Sequence, residues 1–317
     1  MAIHASEGSD LRIGVDLGGT KIEVALLDGQ GAIRDRRREP TPAGDYGAIL
    51  RQVATMVSAI EAAQGRTGLP VGAGTPGAVS RLTGRMKNSN SLCLNGRTLR
   101  EDLSAALGRD VRIANDADCF ALSEAMDGAA AGAACVFGVI LGTGVGGGVV
   151  VGQKLLAGPN GIAGEWGHNP LPWPRPEWGE VPGPKGWDGR YGSIETWCCG
   201  PGMVLDHQRA GGGEARDVQA ICQQAAAGDA AAQATLERWE DRLARSLASI
   251  INVLDPDVIV LGGGLSHIAR VYEQVPLRWR EWVFSDAVET RLVRAEHGDA
   301  SGVRGAAWLW PLGRTPG

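Results

Sequence analysis

The chain lacks the features that mark membrane, nucleic-acid-binding and metal-binding proteins. None of its apolar runs approaches the roughly 20 residues of a membrane-spanning helix, and residues 1–10 lack the apolar core of a signal peptide. Its six cysteines show no paired metal-ligand spacing, which is typical of small buried residues in a reducing compartment. Lys and Arg number 31 against 36 Asp and Glu, a formal net charge of −5 without a basic stripe. We therefore expect a cytoplasmic protein with no nucleic-acid or membrane partner.

Glycine is abundant instead, and one glycine-rich pattern occurs twice. Residues 14–21 (GVDLGGTK) recur in altered form at residues 138–144 (GVILGTG). In each copy a strand-like apolar run ends in glycines and a hydroxyl residue, and a second β-branched run follows, which predicts a hairpin. Because glycines let backbone N–H groups approach an anion closely, two such turns facing one cleft could bind a phosphate from two sides. The repeat predicts two related lobes that hold a nucleotide, and the alternative is that these glycines only form tight hairpins.

Two familiar nucleotide motifs do not fit these turns. The spacing Gly142-x-Gly144-x-x-Gly147 matches the dinucleotide fingerprint, but a strand-like run follows it where that motif requires a helix. In the first copy, Lys21 follows Thr20 rather than a glycine, and residues 22–27 again resemble a strand, which disfavours a P-loop. Neither an NAD-binding nor a P-loop protein is expected.

Strand-like and helical runs alternate along the chain, which is typical of α/β proteins. The 317 residues exceed the usual size of one hydrophobic core, and 44% hydrophobic residues suffice for two cores. Strands are predicted at residues 11–15, 22–27, 69–74, 111–114, 136–141, 149–151 and 258–261, and a third strand of the first lobe, at its solvated edge, is predicted to end near Arg38. Helices are predicted at residues 46–64, 99–107, 117–126 and 302–309, and over much of 217–254 with a break at Gly228.

Five short motifs resemble, in order, those of the ROK family of sugar kinases. They are Asp16-x-Gly-Gly-Thr-Lys, Asn115-Asp-Ala-Asp, Gly142-Thr-Gly-x-Gly-Gly-Gly, Gly164-Glu-Trp-Gly-His and Ile194-Glu-Thr. The resemblance covers almost the whole chain. It implies an α/β protein with a duplicated actin-like (ribonuclease-H-like) ATPase fold, in which a cleft separates two lobes. We expect the N-terminal lobe to span residues 1–117 plus 302–317 and the C-terminal lobe to span 118–301.

The resemblance also implies an enzyme that transfers a phosphoryl group from ATP to a hexose, with Mg²⁺. Residues 87–91, 161–173 and 302–308 look most like bacterial fructokinases, which favours fructose as acceptor and fructose 6-phosphate as product. Glucokinase, mannokinase and N-acetylhexosamine kinase are the alternatives within the family. A non-catalytic sugar sensor is a further alternative, and a repressor is disfavoured because the fifteen residues before Asp16 are too few for a helix-turn-helix domain. By family analogy we expect a homodimer.

The expected catalytic residue is Asp116, where a predicted strand meets a predicted helix. By resemblance this carboxylate is the general base for the sugar hydroxyl, and the alternative is that Asn115 or Asp116 only caps the helix. A hexose needs several short polar side chains to pair with its hydroxyl groups. The residues that resemble sugar contacts or border them are Gly74, Asn90, Asn115, Glu165, His168 and Glu195.

The nucleotide is expected at three glycine turns. Phosphate contacts are expected from the first two, at Gly18, Gly19, Thr20, Lys21, Gly142, Thr143 and Gly144. A third turn, Gly262, Gly263 and Gly264, resembles the family's adenosine-side turn. The alternative is that these glycines only end a strand. We expect Asp16 beside Mg²⁺, through a water molecule, because Mg²⁺ bound to phosphates commonly keeps waters and recruits few carboxylates.

One family motif is missing from this chain. Many ROK proteins hold a zinc ion with the histidine of Gly-Glu-x-Gly-His and three cysteines, whereas the aligned positions here are Gly186, Asp188 and Ser193. Because His168 and Asp188 alone cannot complete a tetrahedral site, no structural zinc is expected. The proline- and tryptophan-rich loop at residues 169–187 is expected to be held by packing of Trp173, Trp178, Trp187 and Tyr191.

Overall fold

The computed structural model describes residues 10–312 as a mixed α/β protein. Its strands are β1 (Arg12–Leu17), β2 (Lys21–Leu27), β3 (Ile33–Pro40), β4 (Val71–Thr75), β5 (Ala78–Val79), β6 (Met86–Lys87), β7 (Val111–Asn115), β8 (Cys135–Leu141), β9 (Val145–Val151), β10 (Lys154–Leu155), β11 (Val258–Gly262) and β12 (Arg291–Arg294). Its α-helices are α1 (Tyr46–Ala63), α2 (Leu99–Leu107), α3 (Asp116–Asp127), α4 (Ile194–Cys198), α5 (Gly200–Arg209), α6 (Val218–Ala226), α7 (Ala230–Leu254), α8 (Val271–Trp279) and α9 (Ser301–Trp308).

These elements form two compact units. The first contains residues 10–131, Gln153–Ala163 and 299–312, and the second contains Gly132–Gly152 and Gly164–Gly298. The division after residue 131 differs from the boundary expected after residue 117, because α3 packs along α9 within the first unit. A side chain at Gly305 of α9 would overlap the carbonyl oxygen of Cys119, so this glycine permits the close approach of the two helices.

The sheet of the first unit has the strand order β3-β2-β1-β4-β7. Strands β1 and β2 are antiparallel, with Leu17 opposite Ile22, while β4 pairs parallel with β1 and β7 pairs parallel with β4. The predicted first hairpin is therefore confirmed. Helix α1 begins after Asp45, whose side chain accepts a hydrogen bond from the Ala48 N–H, and its apolar face packs on the sheet.

The second unit repeats this arrangement in the order β9-β8-β11-β12. Strands β8 and β9 form an antiparallel hairpin, β11 pairs parallel with β8, and β12 pairs parallel with β11. Strand β9 begins at Val145, four residues before the predicted start, so Gly146 and Gly147 belong to a strand and not to the turn. The helices divide at Gly228 as predicted, and α7 packs against α4, α5, α6 and α8. No helix of residues 10–312 is both long and apolar enough to cross a membrane.

Candidate active site

The parallel strands of the first unit bring four expected site residues to one edge of the sheet. Asp16 of β1 lies opposite Gly74 of β4, and Thr75 of β4 lies opposite Asn115 of β7. Asp116 follows directly as the first residue of α3. Gly74 is buried, and a side chain there would approach the Cys119 sulfur at 3.1 Å, so this glycine packs against α3. The carboxyl ends of the three strands therefore present Asp16, Asn115 and Asp116 together.

Asn115 and Asp116 have different roles at the start of α3. The Asn115 side-chain oxygen accepts a hydrogen bond from the Asp118 N–H at 2.6 Å, so Asn115 is the residue that caps the helix. Asp116 Oδ1 accepts a hydrogen bond from its neighbour Ala117 N–H at 2.9 Å, and the residue stays accessible to solvent. The surrounding protein still displaces water from this carboxyl, which raises its pKa above the ordinary value, while the hydrogen bond from Ala117 lowers it. Asp116 is thus an accessible carboxylate of increased basicity.

The pKa of Asp16 is raised as well. Burial, together with repulsion from Glu23 and Asp116, raises the pKa of its carboxyl to about 6, and Lys21 and Arg38 partly oppose this change. A bound cation would relieve this repulsion, so a hard, oxygen-seeking ion such as Mg²⁺ fits the residue. Within residues 10–312, no three His, Cys, Asp or Glu side chains are grouped so as to hold a metal.

The first glycine turn has two of its carbonyl groups occupied and N–H groups available. Thr41 donates from its hydroxyl to the Gly18 carbonyl at 2.7 Å and from its backbone N–H to the Thr20 carbonyl at 3.0 Å. Among residues 10–312, no backbone carbonyl accepts from the N–H of Gly19 or Thr20. An exposed turn of this kind suits an anion. Lys21 begins β2 directly after the turn.

Asn90 is exposed in a loop that lies beside the first turn. The next residue, Ser91, is close enough that a Cβ atom on Gly19 would lie 3.3 Å from its hydroxyl oxygen. The buried Ser89 is fixed by Asn95, whose side chain accepts from the Ser89 N–H and donates to its carbonyl, both at 2.9 Å. The hydrogen bonds between Asn95 and Ser89 therefore fix the loop, while Asn90 is exposed to solvent.

The second glycine turn connects β8 to β9 and contacts Glu195. The N–H of Gly142 donates to the Gly144 carbonyl at 3.0 Å, and the Gly142 carbonyl accepts from the N–H of Gly200 at 2.8 Å. A Cβ atom on Gly144 would lie 2.9 Å from Glu195 Oε2, so glycine is needed here to make room for that carboxylate. Thr143 at the tip is exposed. The second glycine turn, where phosphate contacts are expected, is thus in contact with Glu195, an expected sugar contact.

The glycines of the third turn have different environments: two of them lie against the protein core, and one faces open space. Gly262 ends β11 in the core, and Gly263 has a φ of +78° in a place where a side chain would overlap the Leu141 carbonyl oxygen. Gly264 has no atom within 4 Å of a Cβ position. The strand-end alternative therefore accounts for Gly263, and Gly264 is the residue that is open to a ligand.

A cavity of about 1220 Å³ lies in the second unit, and Gly142, Thr143 and Gly264 are part of its lining. Its walls come from α5, α6 and α7 and are mostly apolar, with Arg216 and Gln219 among the polar residues. A cavity of this size, with an apolar wall and a few polar groups, suits a nucleoside. The helix residues of the wall were not predicted, because apolar positions at helical spacing look the same whether they face a core or a ligand.

The three expected sugar contacts of the second unit form one cluster with Trp187. His168 Nε2 lies 3.7 Å from Glu165 Oε2, and the imidazole ring meets the Trp187 indole edge-on with centroids 5.7 Å apart. The Trp187 indole N–H donates to Glu195 Oε1 at 3.1 Å, and the Val145 N–H donates to Glu195 Oε2 at 3.0 Å. Glu165 and His168 are thus neighbours, and the Trp187 indole contacts both His168 and Glu195.

Local packing explains why these side chains are held. Trp166 is buried between Glu165 and His168, donates from its indole to the Gly146 carbonyl at 3.1 Å and packs edge-on against Phe137. Ser193 precedes α4, and its hydroxyl accepts from the Thr196 N–H at 3.4 Å, which places Glu195 in the first turn of that helix.

The loop between His168 and Glu195 is anchored by buried ion pairs, which corrects the expectation that its aromatic residues hold it. Glu180 is fully buried and accepts hydrogen bonds from Arg242 at 2.7 Å and from Arg245 at 2.9 Å. Arg245 also donates to the carbonyl groups of Pro172 and Trp173, both at 2.7 Å. Of the four aromatic residues, Trp173 stacks on Trp282, while Trp187 and Tyr191 are mostly exposed. Charged residues spaced along α7 look like a solvated face in the sequence, so this network was missed.

The aligned zinc positions and the cysteines have other environments here. Asp188 Oδ2 lies 3.8 Å from His168 Nδ1, and Asp188 Oδ1 accepts from the Arg190 N–H within its own turn. All six cysteines are free thiols. Cys198 is buried in the core, and Cys199 accepts at its sulfur from the Gly202 N–H at the start of α5. The absence of a structural zinc ion remains a prediction.

Comparisons with known proteins agree with this architecture. The model of the ROK family matches residues 12–312. The N-acetyl-D-glucosamine kinase of Salmonella paratyphi A is 39% identical over 306 residues, covering 93% of this chain and 98% of that enzyme. The ROK hexokinase from Thermus thermophilus superposes with a TM-score of 0.83 at 30% identity over 94% of this chain and 97% of that one. The ROK family glucokinase from Streptomyces griseus, solved with glucose and AMPPNP, gives 0.72 at 26% identity over 94% and 98%. These likenesses confirm the expected actin-like α/β ATPase fold, and the chain belongs to the ROK family.

Proposed function

We propose that this protein is an ATP-dependent sugar kinase whose preferred acceptor is N-acetyl-D-glucosamine or a close N-acetylhexosamine. Support for the sugar comes from N-acetyl-D-glucosamine kinases, which are 39% identical to this chain over nearly their whole length. Fructose, which the sequence motifs favoured, finds no support among these relatives and becomes the second candidate. The observation that carries the activity is the accessible Asp116 carboxylate at the carboxyl edge of β7.

The proposed mechanism assigns one task to each group of residues. Asp116 accepts the proton of the sugar hydroxyl as that oxygen bonds to the γ-phosphorus of ATP and the bond to the ADP oxygen breaks. The raised pKa of Asp116 makes its carboxylate a better proton acceptor. A loose transition state mainly requires the hydroxyl to be oriented, so this proton is transferred late. Glu165, His168 and Glu195 would accept and donate hydrogen bonds at the other sugar groups. The 6-hydroxyl is the expected acceptor position.

The nucleotide is proposed to bind at the glycine turns. The free N–H groups of Gly19 and Thr20 would donate to phosphate oxygens, as would those of the turn at Thr143, and the cavity beside Gly264 would take the adenosine. Mg²⁺, when bound, would neutralise charge on the phosphates, and Asp16 would hold it through a water molecule. We also propose a cytoplasmic homodimer, which light scattering after size exclusion would test for its oligomeric state.

A panel of sugars tests the proposal. Purified protein with ATP and Mg²⁺ is assayed for ADP release with N-acetyl-D-glucosamine, N-acetyl-D-mannosamine, glucose, mannose and fructose. We expect the highest kcat/KM with N-acetyl-D-glucosamine. A higher value with fructose would restore the second candidate, and the absence of sugar-dependent ADP release with every sugar would refute a kinase.

A further inference from the structure

Trp187 is more exposed than expected for a residue that only packs a loop. It is 72% exposed, although a large apolar ring normally gains by burial. It lies in a tight turn closed by the hydrogen bond from the Gly186 N–H to the Arg190 carbonyl at 2.7 Å. The turn is thus fixed by its own backbone and does not require the indole for its shape.

The contacts of the indole are with the expected sugar residues instead of with the core. Its N–H donates to Glu195 Oε1 at 3.1 Å, and its ring lies edge-on to His168 with 80° between the ring planes. Because the Val145 N–H holds Glu195 Oε2, the indole fixes the second oxygen and so sets the plane of the carboxylate. The exposed faces of the ring supply an apolar surface next to the polar groups of the Glu165, His168 and Glu195 cluster.

We infer that Trp187 is a positioning and specificity-determining residue, an inference that rests on the proposed function. Its N–H orients Glu195 toward the sugar, and its ring face packs against the methyl of the acetamido group. A glucose or fructose hydroxyl at that place has no methyl to bury, whereas an N-acetylhexosamine methyl would otherwise face carboxylates and imidazole. The indole therefore discriminates the acetamido sugar from the plain hexose by burial of one methyl group, a difference of about fourfold in affinity.

Two substitutions separate the two roles of the indole. Trp187→Phe keeps an aromatic face and removes the N–H, so we expect KM to rise about threefold to tenfold for both N-acetyl-D-glucosamine and glucose. The ratio of their kcat/KM values should stay near that of the wild type. Trp187→Ala removes the face as well, so this ratio should fall about fourfold toward glucose. In both variants kcat and the KM for ATP should change little, because the described contacts of the indole are with Glu195 and His168.

Trp178→Phe is the matched control, because Trp178 lies in the same loop and its ring contacts Arg175. Its kinetics should equal those of the wild type. Calorimetric titration with each sugar in the absence of ATP supplies a readout that does not depend on turnover. An unchanged sugar ratio in Trp187→Ala, with a wild-type melting temperature, would overturn the specificity role, and an unchanged KM in Trp187→Phe would overturn the positioning role. If the wild type itself binds no N-acetylhexosamine, the proposed function fails first and this inference fails with it.

Discussion

Glu180→Ala should destabilise the second unit by removing the centre of its buried ion-pair network. Glu180 accepts hydrogen bonds from the Arg175 N–H at 2.6 Å, from Arg242 at 2.7 Å and from Arg245 at 2.9 Å. Breaking a buried ion pair by removing one partner typically costs 3–5 kcal/mol, roughly, because the remaining charge loses its compensation. Here Arg242 keeps Asp206 and Arg245 keeps Asp241 as partners, so we expect a loss of about 3 kcal/mol.

Differential scanning calorimetry measures this loss. At roughly 2–4 °C for each kcal/mol, the melting temperature of the second unit should fall by about 6–12 °C. Glu177→Ala is the control, because Glu177 is exposed in the same loop and should melt like the wild type. Glu180→Gln keeps one oxygen acceptor and should lie between the two, which preserves the test if the alanine variant does not fold. A Glu180→Ala transition within 1 °C of Glu177→Ala, roughly, would refute the energetic reasoning.

Three further predictions concern the turns, Asp16 and the loop. Gly263→Ala should lower the melting temperature by several degrees because of its positive φ and the Leu141 carbonyl, whereas Gly264→Ala should leave stability unchanged and raise the KM for ATP; equal melting temperatures would contradict this. The pKa of Asp16 is raised to about 6, so ionisation of its carboxyl costs folding free energy. This cost is full above that pH, decreases as the pH falls, and disappears only below about pH 4, where the unfolded state also becomes protonated. Asp16→Asn should therefore raise the melting temperature at pH 7.5 more than at pH 5 in the absence of Mg²⁺, and a pH-independent gain would count against this reading. Metal analysis should find no stoichiometric zinc, and a chelator should leave the melting temperature unchanged; bound zinc would overturn the prediction made from Gly186, Asp188 and Ser193.

Regular elements could be predicted from the sequence because their signals are local. Helix α2 has the predicted bounds, and the two hairpins, the parallel strands and the break at Gly228 follow from periodicity and turn residues. Glycine carries less information, because it permits several structures. The glycines at 18, 142 and 264 border turns or a cavity, whereas Gly147 lies in a strand, where a side chain would crowd the Gly164 carbonyl and Trp166.

The parts of the site that depend on distant contacts could not be predicted. Glu180 meets Arg242 and Arg245 across more than 60 residues of chain, and no local pattern marks charged residues that pair with one another in a core. Trp187 was predicted to pack the loop because an aromatic residue ordinarily does so, and only the structure shows its indole N–H on Glu195. The roles of Asp116, Glu165, His168 and Glu195 stay predictions, although the structure groups the last three together.

The most direct test of the account is the turnover of Asp116→Asn. Asparagine keeps an oxygen that can accept from the Ala117 N–H, so the fold should persist, while the group that accepts the hydroxyl proton is lost. We predict a fall in kcat of at least about a hundredfold with ATP and N-acetyl-D-glucosamine, with the dissociation constants of both ligands nearly unchanged by calorimetry. Asp110→Asn, at an exposed position before the opposite end of β7, should retain wild-type kcat. If Asp116→Asn turns over at a rate near that of Asp110→Asn, Asp116 is not the general base and the proposed mechanism is wrong.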